Sequence, residues 1–159
     1  MALIEALLPR LRRFARTLAR SAADADDLVQ ITVERALLRL AQYQPDTRLE
    51  SWMFTIMKNA WIDEVRARTR HDRVLAPEEA GERVGDSSSE AQMIGLSVEA
   101  AMAQLPDEQR LAVGLVLVEG LSYKEAAAIM EVPMGTLTSR LARGRETLMR
   151  LLGGNGATP

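Results

Sequence analysis

The sequence predicts an all-α protein: two small helical domains joined by a flexible acidic linker, the second carrying a helix-turn-helix. Three observations predict it. Only 4% of the 159 residues are aromatic while 47% are hydrophobic, with alanine, leucine, arginine and glutamate prominent, a composition that favours helix over sheet. Apolar residues recur every three or four positions in several stretches, and some of these open on capping signals. Between two such groups, residues 76–95 lose that period and gain proline, glycine, serine and acid. The expected divisions are a first domain over 1–75, a linker over 76–95, a second domain over 96–152 and a frayed tail over 153–159.

In the first segment, residues 3–20, Ile4, Leu7, Leu8, Leu11, Phe14 and Leu18 share a stripe, with Arg10, Arg12, Arg13 and Arg16 mostly off it. This is an amphipathic helix that Pro9 starts or bends. Ser21-Ala-Ala-Asp-Ala-Asp-Asp27 reads as a turn and helix start, because carboxylates are favoured at the positive end of a helix. The helix runs on to Leu40, with Leu28, Ile31 and Leu38 expected to bury and Asp27, Gln30, Glu34 and Arg35 outside. Tyr43-Gln-Pro-Asp46 is a loop, and Thr47 with Glu50 offers a capping box for a helix over 49–70. Trp52, Met53, Ile56 and Ala60 form its core face; Asn59, Asp63, Arg66 and Arg70 line another. An asparagine beside arginines suits unstacked bases and phosphates, although cations at a helix C-terminus also complement its dipole.

After the linker, residues 96–104 form a helix, Leu105-Pro-Asp marks a break, and 108–119 form an apolar helix through Leu111, Leu115, Val116 and Val118 that Gly120 terminates. Ser122 and Glu125 then make a capping box, which starts a helix with Ala126, Ile129 and Met130 on one face. Glu131-Val-Pro133 stops it, and Pro133 opens the next helix, where its missing N–H is not needed. Leu137, Leu141, Gly144, Leu148 and Leu151 form the buried seam of that helix. Thr136, Ser139, Arg140 and Arg143 lie opposite, a small, polar and cationic face that fits a DNA major groove.

Charge and chemistry narrow the function. A net charge of −2 and pI near 5.5 disfavour tight autonomous DNA binding and favour delivery by a partner, with base concentrated near 66–73 and 140–150 and acid in the linker. There is no cysteine, and the single histidine, His71, lies in an arginine-rich run and reads as solvated. No metal site, nucleophile–base pair or glycine-rich phosphate cradle emerges, so neither a cofactor nor a small-molecule substrate is expected, and the protein is not expected to be an enzyme. The N-terminal stretch carries an early acid and no long apolar run, which fits neither a signal peptide nor a membrane span, so a cytoplasmic protein is expected.

The wording of several stretches carries more. Gly120-Leu-Ser-Tyr-Lys-Glu-Ala-Ala127 and Val132-Pro-Met-Gly-Thr-Leu-Thr-Ser-Arg-Leu-Ala-Arg-Gly-Arg145 resemble the DNA-reading end of bacterial extracytoplasmic-function (group four) RNA polymerase sigma factors. Asp24-Ala-Asp-Asp-Leu-Val-Gln30, Ser51-Trp-Met-Phe-Thr-Ile-Met-Lys-Asn-Ala-Trp-Ile-Asp-Glu-Val-Arg66 and Leu105-Pro-Asp-Glu-Gln-Arg110 are similar to the same family, in the right order. The resemblance implies a factor that binds core RNA polymerase through the β′ clamp helices and β flap and directs it to promoter DNA. It implies polymerase contacts at Asp27, Leu28, Gln30 and Glu34. It implies a downstream-promoter surface of Asn59, Asp63, Arg66, Arg68 and Arg70, with Asn59 at the position associated with a flipped-out base and specificity shared with a loop over 67–75. It implies an upstream-promoter surface of Lys124, Thr136, Thr138, Ser139, Arg140, Arg143 and Arg145. Thr138 and Ala142 depart from the residues frequent there, which leaves the upstream sequence open. An anti-sigma partner and a stress-response role are also implied.

Two other functions fit part of the pattern. A sigma-like decoy that sequesters an anti-sigma factor would not need Asn59 or the arginines. A helix-turn-helix repressor would need a symmetric dimer, for which no element is evident.

Overall fold

The computed structural model describes residues 2–75 and 97–153, which are helical in every regular element. The expected linker over 76–95 lies outside the described residues, as does the tail beyond Gly153. In chain order the elements are α1 (Ala2–Leu18), α2 (Ala22–Leu38), a 3₁₀ turn (Leu40–Gln42), α3 (Leu49–Leu75), α4 (Val98–Gln104), α5 (Asp107–Val113) with a π turn (Gly114–Val118), α6 (Tyr123–Met130) and α7 (Met134–Leu151).

Local signals set most of the boundaries. The Ser21 hydroxyl accepts from the Asp24 N–H and opens α2, and Ser97 does the same for Ala100 at α4. The Ser122–Glu125 capping box forms in full, with both side chains meeting the opposite backbone N–H. Three boundary expectations are corrected. Pro9 lies inside α1 rather than starting it, because Ile4 and Leu11 on either side are both buried and hold the helix through the missing N–H. The Thr47–Glu50 box gives way to a helix that opens at Leu49, where the Trp52 N–H reaches the Arg48 carbonyl and the Glu50 carboxylate accepts from Arg10 and Arg48. Residues 67–75, expected as a loop, continue α3.

The first three helices pack on one another around Leu11, Phe14, Leu18, Leu28, Met53, Phe54 and Met57. The Phe14 and Phe54 rings meet edge to face with centroids 4.9 Å apart, a favoured aromatic geometry. Leu38, expected to bury, is 85% exposed because it ends α2 beyond that cover. The later helices pack around Leu105, Leu111, Val113, Leu115, Ile129, Leu137 and Leu141. These two groups match the expected two domains, and their cores are continuous. α1 lies against α4, α5 and the π turn, while α3 lies against α6.

The π turn brings the halves close. Its wider ring closes through Glu119 N–H to the Gly114 carbonyl at 2.9 Å, five residues back. A Cβ at Gly114 would stand 2.9 Å from the Thr17 methyl and 3.4 Å from the Phe14 ring, so glycine lets α1 approach the backbone. Gly120 at φ +74° then ends the segment.

Candidate nucleic-acid interface

The helix-turn-helix is built from α6, a short turn and α7. Glu131 takes the left-handed conformation at φ 58°, and the Val132 N–H returns to the Ala127 carbonyl at 3.1 Å, closing the end of α6. A non-glycine residue there costs about 1–2 kcal/mol, which the packing of both helices must offset. Pro133 precedes α7, as its fixed φ allows. Leu137, Leu141 and Gly144 bury as the seam, while Leu148 and Leu151 are half-buried.

The outer face of α7 is open in part. Thr138, Ser139, Arg143 and Arg145 are exposed, and Lys124 is exposed on α6. The Thr138 hydroxyl donates to its own helix at the Met134 carbonyl, 2.8 Å away. Thr136 is half-buried, and half-buried Arg140 pairs with Glu108 at 3.3 Å. Glu108 therefore already engages one of the expected cations.

On α3, Asn59, Asp63, Arg66 and Arg70 are spaced by four, three and four residues, which places them on one face of the helix. Arg66 and Arg70 are exposed, and Asn59 is half-buried. Asp63 holds Arg35 of α2 at 3.3 Å, and Arg68 pairs with Asp24 at 3.2 Å and Glu64 at 3.1 Å. Those contacts tie α3 to α2, so Arg68 of the three expected arginines is engaged among the described residues.

Asp27, Gln30 and Glu34 are exposed on one face of α2, where the Gln30 amide donates to Glu34 at 3.3 Å. Leu28, expected to bury from its spacing but set with them by the family resemblance, is only 1% exposed and packs in the core. That expectation is corrected: one helical step turns Leu28 inward from the Asp27 face.

Four charged positions escaped the sequence reading. Glu119, among apolar residues, is buried and accepts from Arg10 Nε at 3.2 Å and from Arg13 Nε and Nη2 at 3.0 and 2.8 Å. These bonds raise the Arg13 pKa, first through the hydrogen bond and then through the charge of Glu119. Arg110 is buried and donates to four backbone carbonyls, which makes it a helix cap made from a side chain. Lys58 reaches Glu131 at 3.2 Å, and Arg48 reaches Glu125 at 2.7 Å. The Glu125 carboxyl meets a desolvation cost, yet the Ser122 N–H and hydroxyl, Arg48 and Ser51 outweigh it and hold its pKa below the usual range. A charge closing an apolar helical run was the one signal that could have found Glu119.

Comparison with known proteins joins the two sets of helices to described families. The Sigma-70 region 2 family matches residues 3–71, and the Sigma-70 region 4 family matches residues 95–148. The ECF RNA polymerase sigma factor EcfG of Rhodopseudomonas palustris is 38% identical over 154 residues, covering 97% of this chain and 85% of that protein. The ECF sigma factor SigM of Mycobacterium tuberculosis is 35% identical over 144 residues, covering 91% and 72% respectively. Among solved structures, the sigma factor RpoE of Bartonella quintana, crystallised with the anti-sigma factor NepR, superposes with a TM-score of 0.76 at 31% identity, covering 97% of this chain and 96% of the other.

Proposed function

Because the chain belongs to the extracytoplasmic-function sigma factors, we propose that α3 reads the downstream promoter element and α7 the upstream one after α2 has docked the protein on core RNA polymerase. The family's activity is to bind the polymerase and direct promoter-specific initiation; the assignment of tasks to helices is our reading. The arrangement of Asn59 beside exposed Arg66 and Arg70 on one face of α3 carries it. An asparagine amide can exchange two hydrogen bonds with an unstacked base while the arginines hold its phosphates. On α7, Ser139 meets base edges and Arg143 and Arg145 hold backbone. Asp27, Gln30 and Glu34 form the polymerase-facing polar strip of α2, now without Leu28. Among the described residues no helix is long and apolar enough to cross a membrane. We place the protein in the cytoplasm, acting without a catalytic step of its own, and under the control of an anti-sigma factor, as the Bartonella complex suggests by analogy.

Run-off transcription with the cognate core polymerase on a genomic promoter library tests this reading. Protein-dependent transcripts sharing two spaced motifs are expected. Asn59→Ala should lower initiation roughly tenfold or more, since a good base contact contributes about 1–3 kcal/mol of discrimination. Arg143→Ala should instead weaken upstream binding evenly across sequences and reduce the salt slope by about one. Transcription that is independent of the protein, or untouched by Asn59→Ala, would refute the assignment.

A further inference from the structure

We propose that Arg48 and Lys58 belong to the nucleic-acid surface of α3, and that Glu125 and Glu131 of the helix-turn-helix occupy them in the isolated protein where phosphates would otherwise sit. The proposal rests on the reading of α3 as a promoter-binding helix and extends it to two residues and a masked state.

The ion pairs that join the two halves among the described residues share one polarity. Arg10, Arg13, Arg48 and Lys58 come from the first domain, and their partners Glu119, Glu125 and Glu131 come from the second. The three glutamates follow at intervals of six residues. Glu119 comes just after the π turn, Glu125 lies in the first turn of α6, and Glu131 is at its end. A row of carboxylates thus covers a row of cations on α1 and α3.

The members of the row differ. Glu119 is buried and takes three guanidinium N–H groups beside the Gly114–Phe14 contact, so it acts as the anchor of the interface. Lys58 is the reverse. It is 2% exposed, carries three N–H donors, and has one described acceptor, Glu131, whose own side chain is 77% exposed. A buried ammonium needs an anion, and among the described residues that anion comes from the other domain. When α6 leaves α3, Lys58 is uncovered one residue from Asn59. Arg48, just before the same helix and about 15 Å away at 1.5 Å per residue, then loses the Glu125 partner of its Nη1 while its Nε stays on Glu50 at 3.0 Å. Two cations at that spacing beside a base-reading amide suit a single-stranded phosphate backbone. Because the Glu131 carboxylate stays largely in water, phosphates, which also release counterions, can take its place on Lys58 once the two helices part.

The test uses the full chain without polymerase and a fluorescent single-stranded oligonucleotide, followed by anisotropy at several salt concentrations. Glu125→Gln with Glu131→Gln keeps a residue able to complete the capping box and removes both carboxylate charges. It should tighten binding about tenfold at low salt and steepen the log–log salt dependence by about 1.4, the value for two recovered single-strand contacts. Adding Lys58→Gln should remove about half of that gain, and Lys58→Arg should restore it. No gain in the double variant, or a gain that survives both Lys58→Gln and Arg48→Gln, overturns the proposal. If the gain is absent while run-off transcription still depends on Asn59, the masking fails and the sigma reading stands. If the gain appears and no promoter is transcribed, the masked surface stands and the sigma reading fails.

Discussion

Arg110→Ala is expected to lower the unfolding free energy by about 3 kcal/mol, which for a chain of this length moves the melting midpoint down by roughly 10 °C. The guanidinium is 8% exposed and binds the carbonyls of Met102 at 2.9 Å, Ala103 at 3.4 Å, Leu105 at 2.7 Å and Leu18 at 3.1 Å. The first three lie at the end of α4 and the fourth at the end of α1, where helices leave carbonyls without intrahelical partners. One cation therefore completes two helix C-termini, at the negative ends of both dipoles. Burial lowers its pKa, opposed by the nearby Asp107, but an arginine stays charged throughout. Alanine removes the donors and strands the acceptors, whereas Arg110→Lys restores only part of the loss, because a single ammonium cannot span four carbonyls. Chemical denaturation of the three proteins decides it; an alanine variant within 1 kcal/mol of the parent would mean that water replaces the guanidinium at little cost.

Gly144→Val is expected to cost a similar amount, about 3 kcal/mol, and to remove upstream-promoter binding while α3 still engages DNA. Glycine in the middle of a helix is about 1 kcal/mol worse than alanine, so its place in α7 needs a packing reason. That reason is α5: a Cβ at Gly144 would lie 2.7 Å from a Val113 methyl and 3.3 Å from the Gln109 carbonyl oxygen. The backbone oxygen cannot rotate away, so α7 must lift off its floor and carry Ser139 and Arg143 with it. Gly135, in the first turn of the same helix, has nothing within 4 Å of its Cβ direction. Gly135→Ala is therefore the matched control and should be neutral or slightly stabilising. Denaturation, with binding to an upstream-element duplex, measures both effects.

The helix-turn-helix could be read from sequence because its signals are local. Ser122 and Glu125 lie three residues apart, Pro133 marks the turn, and Leu137, Leu141 and Gly144 keep one period, so each feature is visible within a few positions. The face of α2 was legible for the same reason, except at Leu28. There the apolar spacing already turned the residue inward, and the family resemblance alone set it among the exposed contacts. The charged contacts across the domains were not legible. Arg10 and Glu119 are separated by 109 residues, and Lys58 and Glu131 by 73, with nothing in either neighbourhood naming the other. Arg110 left no trace at all, since its partners are backbone carbonyls that every residue possesses. The end of α3 was misjudged because a run of arginines past a helix's apolar face reads equally well as its exit or its continuation.

The π turn over Gly114–Val118 acts as a phase setter for everything after it. In an α-helix each residue advances the azimuth by about 100°, so one additional residue in a single turn re-indexes the rest of the segment by that angle. With it, Glu119 faces the arginines of α1 and α6 departs toward α3; without it, the same residue would point aside and the DNA-reading helices would be turned about the molecule. The orientation of the upstream reader relative to the polymerase-docking half is thus encoded in a rotation carried by five apolar residues, none of which meets DNA or polymerase in our reading.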